Sequence, residues 1–240
     1  MDLEFAGRLN GKQKAIGFIL LLPTYLYITP TLVEAGLYFF VKYVKVLDIY
    51  TINIYLNFFS TLISMIFAVV LFKDFFIDNI RKFKQNLSKN ILWSATAGLG
   101  INYLISYLAN ILIILFLGTS DSASNQLLFE SLIENSFLLM AIQAIVFAPI
   151  VEELIFRGLV FRSFRQYNIY LAHFISAFCF GFIHIYQGLF AGDFTQLVYL
   201  LSYGGMGFAY SFVYEKRKTI VAPMIVHMLN NLIATIIIML

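Results

Sequence analysis

The sequence predicts an all-α, polytopic transmembrane bundle of seven spans, with a basic amphipathic helix lying at the membrane interface. Hydrophobic residues make up 61% of the 240 residues and charged ones 12%, too little polar surface to coat a soluble globule of this size. The apolar residues come in runs of about 20, long enough to cross a ~30 Å hydrocarbon core at ~1.5 Å per residue. The Lys and Arg residues collect on one side of those runs. Together the spans consume the chain, so 1–240 is expected to be a single membrane domain. A net charge of +3 gives no reason to expect nucleic acid as a partner, and one cysteine, Cys179, can form no internal disulfide.

Taken in order, Arg8, Lys12 and Lys14 precede an apolar run that starts at Ile16 and continues past Pro23 and Pro30 to about Val41. A signal peptide would end sooner, at a small-residue cleavage site, so this reads as an uncleaved first span kinked at its prolines. Ile52 to Phe72 is the second span. From Lys73 to Lys89, Lys73, Arg81, Lys82, Lys84 and Lys89 interleave with Phe72, Phe76, Ile80, Phe83 and Leu87 at helical spacing. That pattern puts one apolar stripe on a basic helix, expected to lie in the interface against anionic headgroups. Ile91 to Leu117 makes a third span, and the loop Gly118 to Asn125 carries no Lys or Arg. A fourth helix is expected from Leu127 to Arg165, bent at Pro149. The fifth, sixth and seventh run from about Tyr170 to Gly188, Phe194 to Tyr214 and Ile220 to Leu240. Small residues four apart, such as Ala177 with Gly181 and Gly205 with Ala209, predict close packing of spans five and six.

Orientation follows from charge. Of the 16 Lys and Arg, all but Lys42 and Lys45 fall on the side that holds the N-terminus, which puts that side in the cytoplasm. Counting the proline-rich first segment as two spans would give eight and move the N-terminus across.

Inside this apolar chain, Pro149 to Gly158 reads Pro-Ile-Val-Glu-Glu-Leu-Ile-Phe-Arg-Gly. An intramembrane charge costs roughly 3 kcal/mol unless it is paired or faces a cavity. Glu153 and Arg157, four apart with the acid first, are placed to pair with each other. Glu152, about 100° round the helix, needs another partner. On the fifth span Phe180 and His184 share a face, as do His227 and Asn231 on the seventh. Counted from the inner helix ends, Glu152 and His184 lie about 20 Å deep, Asn231 about 18 Å and His227 about 12 Å, so one cavity approached from the inner side is expected to hold all four.

A carboxylate and an imidazole sharing one water form a general base. A second imidazole with an amide can donate to a developing oxyanion. The set Glu152, His184 and His227 also suits zinc, and the residues alone leave the two mechanisms open. No Gly-x-Ser-x-Gly elbow is present, and Cys179 reads as packing. His173 and Asn230 read as helix-bridging hydrogen bonders. The 26 Phe and 15 Tyr are mostly core and lipid-facing packing.

The segment Ala148 to Gly158, then Phe180 with His184, then Ala-Pro-Met-Ile-Val-His-Met-Leu-Asn-Asn from 222 to 231, resembles the CAAX protease and bacteriocin-processing enzyme family, also called Abi. The similarity covers roughly 130–235 and makes 126–240 the expected catalytic core, with 1–125 a variable front half. It implies an intramembrane endopeptidase. Glu152 with His184 would activate water, His227 with Asn231 would form the oxyanion hole, and Glu153, Arg157 and Phe180 would support them. The family has been described both as metalloproteases and as glutamate proteases. The glutamate type, needing no cofactor, is favoured here, with zinc on Glu152, His184 and His227 as the other option. The chain stops soon after Asn231, where eukaryotic prenyl-protein members continue, so a compact bacterial member in the plasma membrane is expected, acting on a peptide or membrane-protein tail with lipids around it. The rival readings are a catalytically silent immunity or regulatory protein that grips a bacteriocin or sensor kinase, and a proton-coupled transporter. No inverted repeat supports the transporter.

Overall fold

The computed structural model describes residues 5–118 and 122–240, so Thr119, Ser120 and Asp121 of the polar loop lie outside the described residues. The described chain is helical throughout, with no strand. Among the described residues nine helices follow one another: α1 Gly11–Tyr43, α2 Ile49–Leu71, α3 Lys73–Lys84, α4 Leu87–Phe116, α5 Ser124–Asn135, α6 Phe137–Arg165, α7 Ile169–Phe190, α8 Gln196–Arg217 and α9 Val221–Ile238. Helix ends obey local chemistry. Asn10 and Gln13 form a reciprocal capping box at the start of α1, Asp48 accepts from Thr51 N at 3.0 Å to cap α2, and Asn168 caps α7 through Tyr170 N and Leu171 N.

Wide turns lie beside the prolines at which kinks were expected. The first span runs unbroken through Pro23 and Pro30, with wide turns at Gly17–Leu21 and Thr24–Ile28 that shift the hydrogen bonding to i→i+5. The fourth helix likewise continues through Pro149. It begins at Phe137, after a break at Ser136 (φ −154°, ψ 82°) that separates it from α5. A wide turn at Gln143–Phe147 immediately precedes Pro149 and absorbs the missing donor.

Among the described residues, six helices are long and apolar enough to cross a membrane: α1, α2, α4, α6, α7 and α9. The segment expected as the sixth of seven spans is present as α8, but its Tyr, Gly and Ser content leaves it outside that set. It runs antiparallel to α7 along its whole length. Successive contacts are Gly188 with Gln196, Gly181 with Gly204, His173 with Ser211, and, just before α7, Arg165 with Glu215. Glycines permit the approach, since a Cβ on Gly181 would sit 2.8 Å from Gly204 N.

At one end of the bundle the basic residues gather. Glu215 takes Arg165 in two 3.0 Å bonds and Lys218 Nζ at 2.7 Å, and Arg162 stacks on Phe5 at 4.2 Å. Helix α3 closes this end. Of the expected stripe, Phe72 and Phe83 are buried and Phe76 and Ile80 half-buried, whereas Leu87 is exposed, and Phe75 and Asn79 join the buried face. Asn79 fits that face because backbone satisfies its amide: Nδ2 donates to Ala6 O at 3.2 Å and Oδ1 accepts from Ile220 N at 2.7 Å. The stripe therefore seals protein against protein.

Gly181→Ala must separate two backbones, and a loss of about 1–3 kcal/mol is expected. Gly36→Ala, where a Cβ meets nothing within 4 Å, is expected to be neutral or slightly stabilising. Thermal unfolding of both variants in one detergent checks the contrast.

Candidate active site

The site is built on α6, where Glu152, Glu153 and Arg157 are all buried. A guanidinium without water needs charge, hydrogen bonds and polarisable surface around it. Arg157 finds all three: Nη1 lies 3.1 Å from Glu153 Oε1 in an ion contact, and Nη2 donates to Gly207 O at 2.8 Å. Its carbon centre sits 4.7 Å from the Phe180 ring and 5.2 Å from the Tyr210 ring. The expected Glu153–Arg157 pair is thus present, with Phe180 as one of its walls.

His227, from α9, joins this group. Its Nδ1 is 3.1 Å from the same Glu153 Oε1, and its ring stacks on Tyr210 at 4.6 Å. Against an ionised Glu153, Nδ1 carries hydrogen, which fixes the ring and turns Nε2 toward Glu152. That nitrogen is 3.8 Å from Glu152 Oε2, too far for a direct hydrogen bond.

Glu152 has the separate environment that helical geometry required. Its Oε1 accepts a 2.6 Å hydrogen bond from Tyr25 on α1, and its buried Oε2 has no hydrogen-bond partner among the described residues. His184, on α7, donates from Nδ1 to Phe180 O at 2.7 Å and stacks on Tyr203 at 4.6 Å, leaving Nε2 as an acceptor. Glu152, His184, His227 and Asn231 all line one cavity of about 530 Å³. No hydrogen bond joins Glu152 to His184 among the described residues, and the imidazole beside Glu152 is His227.

Asn231 has a double attachment. Its Nδ2 donates to Ala144 O at 2.8 Å, and its Oδ1 accepts from Asn230 at 3.2 Å. Pro149 explains why that carbonyl is available: in the wide turn before it, Ala148 N bonds Gln143 O, and the next residue has no N–H to offer Ala144. One Nδ2 hydrogen is therefore committed and the second is left for the cavity. Asn230 bridges helices as expected, accepting from Asn102 Nδ2 on α4 at 2.8 Å. His173 is a satisfied hydrogen bonder, 2.6 Å from Ser211 Oγ.

The cavity continues beyond Glu152, His184, His227 and Asn231. Its lining runs from Glu152 and Tyr210 to Asn53, Gln126, Gln187 and Ile238, at the end of the bundle away from the basic residues. On the basic side Phe156, Leu159 and Phe161 are fully buried and fill the helix interfaces. Depth from a helix end says how far in a residue lies, and side-chain packing decides which end is open. Among the described residues no three His, Cys, Asp or Glu side chains converge on one point, as tetrahedral ligation requires.

The apolar helical bundle thus encloses a carboxylate, two imidazoles and several amides in one cavity. Residues 134–233 match the family described as Type II CAAX prenyl endopeptidase Rce1-like, and over that segment the resemblance carried by the motifs is borne out. "Putative membrane peptidase YdiL" of Bacillus subtilis (strain 168) is 30% identical over 149 residues, covering 62% of this chain and 56% of that protein. The match thus spans little more than half of that relative's length. No solved structure matches the chain.

Tyr25 and Asn102 lie outside the matched segment and carry no motif. Nothing in local sequence separates Tyr25 from the other tyrosines, and only the packing of α1 against α6 reveals it. The ion contacts around Arg157 yield a stability test. Arg157→Met leaves Glu153 buried without its cation and is expected to cost about 3–5 kcal/mol. Adding Glu153→Gln should restore part of that loss, a non-additivity read by denaturation of the two single variants and the double variant.

Proposed function

We propose that this protein is an intramembrane endopeptidase of the glutamate type, cleaving a peptide bond in a membrane-associated peptide or protein tail. The observation that carries the reading is Glu152 Oε2, a buried carboxylate oxygen with no hydrogen-bond partner among the described residues, facing a cavity lined by two imidazoles. The family match over 134–233 supports it.

In this mechanism a water between Glu152 and His184 attacks the scissile carbonyl. Glu152 takes the proton as the new C–O bond forms, and His184 Nε2 orients the water by accepting its other hydrogen. His227, when Nε2 also carries hydrogen, donates to the developing oxyanion together with the second Nδ2 hydrogen of Asn231. The proton on Glu152 then passes to the leaving amine as the C–N bond breaks. Tyr25 holds Oε1 in place, which keeps Oε2 turned to the cavity. Glu153 and Arg157 position His227. The basic end lies in the cytoplasm of a bacterial cell, in accordance with charge.

Comparative mass spectrometry of membrane peptides from cells expressing wild-type and variant protein tests the reading. Glu152→Gln should lower cleavage by about 10²–10⁴-fold, the usual contribution of a general base. Tyr25→Phe, which removes one charge-assisted hydrogen bond, should lower it roughly tenfold. A biological effect that survives intact in Glu152→Gln would mark a binding protein instead.

A further inference from the structure

We infer that the substrate reaches this site from the extracytoplasmic face, as an uncharged, extended stretch of peptide. The inference rests on the peptidase reading for the word substrate, but its geometry stands independently. All but two of the 16 Lys and Arg lie at or toward one end, tied together there through Glu215, Asn90 and the cap formed by α3. Past Glu152 toward that end, no residue of α6 lines the cavity, and Leu154 to Phe161 are buried without exception. Phe75 closes on Gly158, 2.9 Å from where a Cβ would stand. A substrate from the basic side would have to displace this packed core.

Toward the other end the lining continues outward. It follows α9 from His227 to Ile238, α7 from His184 to Gln187, and reaches Asn53 in the first turns of α2. From His227 to Ile238 is about 16 Å of helix, the length of about five residues of extended chain. A substrate helix, roughly 10 Å wide with its side chains, hides its own carbonyls, so a segment reaching Glu152 must be unwound.

The chemistry of the wall gives the class. Apart from Glu152, His184 and His227, the polar lining consists of amides and hydroxyls, with no Lys, Arg or Asp. Asn53, Asn57 and Gln143 each spend an amide hydrogen on a neighbour, bonding Ile49 O, Asn53 O and Thr61 Oγ1. Each keeps its side-chain oxygen and a second amide hydrogen to pair with the N–H and C=O groups of a peptide. Charge plays no part in that recognition, so lysine- or arginine-rich tails do not suit it.

Single cysteines placed in a Cys179→Ser background test the access route in intact cells with a membrane-impermeant maleimide. Asn53→Cys, at the mouth, should label without permeabilisation, whereas Gln85→Cys, exposed just after α3, should label only after it. Failure of Asn53→Cys to label in intact cells, or labelling of Gln85→Cys there, overturns the inference whether or not the protein cleaves anything. For the substrate class, peptides lost in Glu152→Gln cells should map to uncharged extracytoplasmic segments. Cleavage sites in basic cytoplasmic tails would overturn that part, while no difference between the peptide sets would count against the peptidase reading and leave the labelling result standing.

Discussion

The burial of Arg157 is the constraint on which the surrounding structure depends. A guanidinium removed from water and lipid needs compensation, and four helices contribute to it: Glu153 from its own turn, Gly207 O and Tyr210 from α8, Phe180 from α7, and His227 from α9 through the shared carboxylate. Each of those contacts fixes a helix in rotation as well as in position. A purely apolar interface tolerates small rotations, whereas a directional ion contact does not. The cluster therefore sets the register of the helices that carry the chemistry. It also separates the two adjacent glutamates, one spent on this network and the other turned to the cavity.

Close packing of α7 on α8 serves the same end. Glycines at 181 and 207 bring the two backbones together, which puts the Gly207 carbonyl within reach of Arg157 and the Tyr203 ring against His184. A bulkier residue at those points would move both halves of the site at once.

Much of this was legible in the sequence because membrane burial makes charge conspicuous. Glu152, Glu153, Arg157, His184, His227 and Asn231 stand out in apolar runs, and helical spacing alone separates the roles of the two glutamates. Residues whose chemistry is common in spans were not legible. Tyr25 is one tyrosine of 15, and its contact with Glu152 joins positions 127 apart. The open end of the cavity was also beyond reach, because composition tells which residues are apolar and not which of them interlock. The stripe of α3 was legible only in part: Phe72 and Phe83 are buried as expected, whereas Asn79 lies inside because backbone groups of Ala6 and Ile220 satisfy it there. The number of spans depends on α8, whose polarity is tolerable where α4 and α7 cover it.

Pro149 acts through the hydrogen it lacks. The carbonyl of Ala144 has no ladder partner there and becomes the anchor for Asn231 across the cavity wall. An ordinary residue at 149 would bring an N–H that competes with Asn231 for the same oxygen. Helix and site then want opposite things from one position: a better hydrogen-bonded α6 is a looser cavity, so a change that makes the protein more stable at this point is one that makes it less able.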